Sequence, residues 1–85
     1  MATRIPVLLE QSMEDATAES ARCEAVSLLA RARGSQVVGL KLVQARAYGM
    51  KEDSAHACTI LRDIKEPSRG TEYETKVMRL LESGC

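Results

Sequence analysis

Apolar residues recur along this chain at three- and four-residue spacing and nowhere in strict alternation, a pattern that predicts helices throughout. The most apolar stretch, Gln36 to Gly49 (QVVGLKLVQARAYG), sets the frame for the rest. Val37, Val38, Leu40, Leu42, Val43, Ala45, Ala47 and Tyr48 leave only a narrow polar strip at Lys41, Gln44 and Arg46. A helix that is apolar around most of its circumference has to be covered on more than one side. The expectation is a central helix, capped by Ser35 and closing at Gly49, within a small helical stack.

Four further helices follow from the same periodicity. The first begins near Thr3, with Pro6 in its first turn, where a missing N–H costs little, and Ile5, Leu8, Leu9 and Met13 on one face. It ends or bends within Ser12 to Thr17, where Ser, Asp and Thr offer a fresh N-cap. The second, about Ala18 to Arg33, repeats Ala21, Ala25, Leu28, Leu29 and Ala32 along one side. Arg31 and Arg33 fall in its last turn and Gly34 stops it. The fourth, about Glu52 to Lys65, carries Ala57, Ile60, Leu61 and Ile64 behind an acidic first turn. After the loop EPSRG, Thr71 and Glu74 read as a capping box for a fifth helix with Tyr73, Val77, Leu80 and Leu81, ending at Gly84. The fold class is all-α, one domain over residues 1–85.

The chain also resembles itself. Glu-Ser-Ala-Arg-Cys-Glu-Ala-Val begins at Glu19 and Asp-Ser-Ala-His-Ala-Cys-Thr-Ile at Asp53, 34 positions later. Ala21 then aligns with Ala55 and Val26 with Ile60. The same offset sets Leu8 and Leu9 against Leu42 and Val43. Thirty-four residues per helix pair is the tetratricopeptide period, although a chance helix-turn-helix spacing gives a similar number. The expected architecture is five short helices in a tetratricopeptide-like array, two pairs plus a capping helix, whose curved inner face suits a peptide helix.

Composition narrows the function. Twelve Lys and Arg balance twelve Asp and Glu, without the basic patch that marks a nucleic-acid binder. There is no Phe or Trp and only two Tyr, so the core is built from Leu, Val, Ile, Met and Ala and is expected to gain from a partner. The first residues, MATRIPVLLE, are too short in apolar run for a signal-peptide core, and no run approaches a membrane span. Cys23, Cys58 and Cys85 form no CxxC. A reducing cytosol is expected, with Cys23 and Cys58 as small apolar residues and Cys85 as an exposed thiol open to oxidation between molecules.

His56 is the only histidine, and Cys58, two positions on, projects to another side of a helix. Neither a metal site nor a Cys-His catalytic pair is expected, and no cofactor. The acidic first turns, Glu14-Asp15 and Glu52-Asp53, serve helix N-termini. Arg31, Arg33, Lys41 and Arg46 read as a solvated face. The candidate partner-binding residues are apolar: Leu40, Val43 and Ala47 on one face of the central helix, Tyr48 as a polar tip at a groove edge, and Leu8, Leu9 and Val77. Each has two readings, core packing or groove lining.

The run ESARCEAVSLLARARG, the apolar helix after it and then GMKEDSAHACTIL resemble the small tetratricopeptide-like chaperones of bacterial type III secretion needles, over roughly Glu19 to Ile64. The chain is similar to the compact enteric-type versions, with one helix after Pro67 and no Trp. The resemblance implies a cytoplasmic chaperone that works with a second small helical chaperone. Together they would hold the needle subunit's C-terminal amphipathic helix in the groove and prevent premature polymerisation. The alternative is a small self-associating helical adaptor or regulatory protein, and an enzyme is a distant third.

Overall fold

A computed structural model describes residues 3–85. Five helices follow one another: α1 (Arg4–Ser12), α2 (Asp15–Leu29), α3 (Ser35–Met50), α4 (Ser54–Ile64) and α5 (Glu74–Gly84). Among the described residues there is no strand, and no helix is long and apolar enough to cross a membrane.

The local chemistry explains most boundaries and corrects several. Helix α2 starts at Asp15 rather than near Ala18, because Glu14 in an extended conformation already serves as its N-cap residue. It ends at Leu29, four residues short of the expected Arg33. Arg31 N–H donates to the Leu28 carbonyl (2.9 Å) and Ala32 N–H to that of Leu29 (3.2 Å), the three-residue closure that tightens a helix end. Arg31 and Arg33 therefore lie beyond the helix, not in its last turn. Gly34, at φ +59°, takes the N-cap position of α3, so Ser35 is the first helical residue and not the cap. A side chain there would be strained, which is why the chain turns at a glycine. Helix α4 starts at Ser54 rather than near Glu52, so Asp53 is its N-cap and not a first-turn residue, accepting from the His56 N–H at 3.2 Å. The capping box is displaced: Thr71 Oγ1 accepts from the Tyr73 N–H (3.2 Å) and Glu74 Oε1 from the Gly70 N–H (3.4 Å), both ahead of the first turn of α5.

Helix α3 is the hub. It packs against α1, α2 and α4, while α1 also meets α2, and α5 packs on α4. The core runs through Ile5, Leu8 and Leu9 of α1, Ala21 and Ala25 of α2, Leu40, Leu42 and Val43 of α3, and Leu61 and Ile64 of α4, closed by Tyr73 and Val77. The alanines of α2 let its backbone approach α3 closely. Burial corrects the internal register. First-helix positions keep the 34-residue offset, Leu8 with Leu42 and Leu9 with Val43, all buried. In the second helices Ala55 is exposed, and the buried counterparts of Ala21 and Ala25 are Ala57 and Leu61, thirty-six residues on. The two extra residues fall between Val43 and Ala57, across the longer end of α3 and its turn into α4.

The chain itself covers the remaining side of α3. Tyr73 lays its ring on the backbone of Gly39. A Cβ at Gly39 would stand 2.7 Å from Tyr73 Cζ, 2.8 Å from its hydroxyl oxygen and 3.0 Å from Ile5 Cγ2. Burial, and after it the nearby Glu72 carboxylate, pushes the Tyr73 phenol above its ordinary value. The ring is held as a neutral wedge.

Cys58 and Cys85 form a disulfide, with Cα atoms 5.8 Å apart and a separation of 27 positions in sequence. This corrects the expected free Cys58 and Cys85. Cys23, expected as a small apolar residue, is the free cysteine among the described residues and is exposed. The pairing follows from α5 folding back along α4, a long-range contact that Cys spacing does not encode.

Two outcomes are expected. Gly39→Ala gains helix propensity of up to about 1 kcal/mol, but overpacking against Tyr73 costs roughly 1–3 kcal/mol. Urea denaturation should therefore show a net loss of stability; a gain would mean that the ring yields freely. Reducing the disulfide, or Cys85→Ser, opens a loop of this length and should lower stability by about 3 kcal/mol, read as an earlier denaturation midpoint.

Candidate functional site

Six of the seven residues that sequence spacing offers to a partner are core in this chain. Leu8, Leu40 and Val43 are fully buried, as is Val77, and Leu9 and Ala47 nearly so. Tyr48 is half-buried. It is not a free groove tip: its ring stacks on that of His56 at 4.9 Å between centroids and 17° between planes, and the Arg22 guanidinium lies 5.4 Å from its centre. His56 is exposed, and its Nδ1 is 2.7 Å from Asp53 Oδ2. Arg22 in turn pairs with Glu19. Tyr48 thus ties α2 to α4 across the outside of α3, a structural use that leaves it little to offer a ligand.

The surface left over is a groove at the C-terminal end of α3. It has a volume of about 570 Å³ and is lined mainly by apolar atoms. Ala45, Arg46, Gly49 and Met50 form the α3 side, and Met13 borders it just past the end of α1. Ala57, Cys58 and Leu61 of α4 lie across from them, with Leu80 and Ser83 of α5 beyond. The groove originates in a difference of length. Helix α1 has 9 residues and α3 has 16, so at the 34-residue offset α1 ends opposite Arg46 and the last turn of α3 has no α1 residue over it. Met13 and Met50 bring unbranched, adaptable side chains to its wall.

One charged side chain lies within this apolar lining on α3. Arg46 is half-buried, and burial pushes its guanidinium down from the ordinary value. Its Nη1 sits 2.9 Å from the Met13 sulfur. Sequence spacing places Arg46 in a solvated strip with Lys41, whereas the fold brings it to the groove. Nothing in the sequence signals this, because the groove depends on where α1 stops and where α5 folds back. Lys41, its companion in that strip, instead reaches Asp63 of α4 at 2.8 Å.

Other ion pairs bind neighbouring elements on the outside. Arg4 of α1 pairs with Glu24 of α2, and Lys51 reaches the Asp15 carboxylate at 3.1 Å from the far end of α3. Among the described residues no group of three or more His, Cys, Asp or Glu is gathered so as to hold a metal ion. No protein-family model, curated protein or solved structure matches the chain.

The exposed pairs set a pH dependence. Hydrogen bonds from His56 hold the Asp53 carboxyl below its ordinary 3.8, and Arg22 and Arg4 hold Glu19 and Glu24 below 4.5. A depressed native value stabilises the fold above the unfolded value and ceases to do so as pH falls through the native one. The thermal midpoint should therefore be flat near neutrality with respect to these groups and decline below about pH 4.5. Asp53→Asn should shallow that decline; an unchanged acid limb would mean that this carboxylate contributes nothing.

Proposed function

We propose that the chain is a binding module: a tetratricopeptide-like chaperone that receives an amphipathic helix in the groove at the end of α3. The observation that carries the reading is the open, mainly apolar groove of about 570 Å³ between α3, α4 and α5. A helix about 10 Å across occupies roughly 400 Å³ per turn, so the groove takes two to three turns lying half-sunk. Recognition of this type reads apolar anchors along one helical stripe. Supporting it are the succession of packed helices, with α1 meeting α3 across α2, and the neutral charge and scarcity of aromatics.

The sequence resemblance gives the specific form. The chain acts with a second small helical chaperone in the cytoplasm, and its ligand is the C-terminal helix of a type III needle subunit. Covering that helix withholds the surface through which subunits polymerise. In a reducing cytosol thiols are kept reduced, so there Cys58 and Cys85 stand as a facing dithiol, not a bond. The activity is binding, without catalysis.

Co-expression with a needle-type subunit and a small helical partner should give a complex that co-elutes on size exclusion. A stable monomer that binds neither speaks against the reading, and a tight homodimer supports the self-associating adaptor instead. Two substitutions separate groove from core. Met50→Glu should abolish complex formation while circular dichroism keeps its helical signal. Val43→Glu puts an unpaired charge where there is no solvent access and should unfold the chain, at a cost of several kcal/mol. The reverse pattern would move the binding surface to the face of Leu40 and Val43.

A further inference from the structure

The groove is mainly apolar, and Arg46 is the cation that enters it; this cation stands apart from the rest. Arg4, Arg22, Lys41, Lys51 and Arg69 each have a carboxylate partner. Arg31, Arg33, Arg62, Lys65, Lys76 and Arg79 are exposed, where water supplies the solvation. Among the described residues Arg46 alone of the Lys and Arg is half-buried without an ion pair. Its close neighbour is a thioether sulfur, Met13 Sδ at 2.9 Å, a weak acceptor that leaves most of the five guanidinium donors unspent. Glu52 also lines the groove, yet it forms no ion pair with Arg46.

We infer that Arg46 is the specificity determinant of the groove, selecting an amphipathic helix that carries a carboxylate within its apolar stripe. The inference rests on the helix-binding reading and deepens it by naming the chemistry of the ligand. A docked helix covers the groove and removes water from Arg46. An apolar or cationic side chain opposite would then leave the guanidinium desolvated and unpaired, which is costly. A Glu or Asp at that position accepts the planar fork through two oxygens, the geometry in which Arg is strongest. The carboxylate thus fixes where the helix sits along the groove, while Ala45, Met50, Leu61 and Leu80 supply non-directional contact. Charge complementarity also decides between occupants of the same shape, because the apolar wall alone cannot reject a slipped or reversed helix.

The test uses the full chain and three four-turn Leu/Ala-rich peptides that are identical but for one stripe position, Glu, Gln or Lys. Titration calorimetry should show the Glu peptide binding about tenfold tighter than the Gln peptide, with the Lys peptide weakest. In Arg46→Gln the Glu and Gln peptides should become equal, with circular dichroism unchanged. Glu52→Gln should leave the preference intact. Equal binding of Glu and Gln peptides to the native chain overturns the selection by Arg46 and leaves the groove reading standing. Failure of all three peptides to bind overturns both. Sedimentation that shows a homodimer dissociated by Arg46→Gln also overturns it, because the carboxylate would then come from a second copy.

Discussion

Tyr73 can lie on the central helix only because Gly39 has no side chain. The missing Cβ lets an aromatic ring reach the α3 backbone beside Ile5, and that contact closes the side of α3 left open by α1, α2 and α4. It also fixes where the last segment of the chain begins. With Tyr73 seated, Val77 one turn further on is buried, Leu80 reaches the groove wall, and Cys85 comes within bonding reach of Cys58. A single close approach therefore governs the final quarter of the fold. The shortage of aromatics sharpens this, since no other ring enters the core.

The surface available to a partner is what remains after this closure. Residues with the strongest apolar signal are consumed internally, because a chain of this size has few large side chains to spare for a core. The groove instead arises from an inequality of helix lengths. Its walls are made mainly of small and medium residues, alanine, glycine, methionine and two leucines, with one guanidinium and, from Glu52, one carboxylate. Such a wall is permissive in shape and exacting in charge, which makes polarity a better discriminator of ligands than volume.

Much of the frame was legible in the residues. The five helices, the punctuation at Gly34 and the need to cover α3 on several sides all follow from local chemistry and periodicity. What escaped has a common cause. The cover over Gly39, the Cys58–Cys85 bond and the position of Arg46 join residues far apart in sequence, and no spacing rule records such meetings. The second-helix register differs for a related reason: the similarity of Ser-Ala at 20–21 and 54–55 is compositional, whereas burial follows the extra length between Val43 and Ala57. Leu40 and Val43 were ambiguous on principle, because core and groove both demand apolar residues and only the packed chain distinguishes them.

The disulfide has a topological consequence. Between Cys58 and Cys85 the chain is a closed ring that contains most of α4, the exposed turn at 65–67, Arg69 and Gly70, and all of α5. A proteolytic cut at Arg69, the kind of exposed basic site where nicking concentrates, would open the ring without dividing the molecule. Both wall-forming helices would stay tethered at the groove floor. When oxidised, the molecule is thus a lariat, whose loop can be severed once without losing a part.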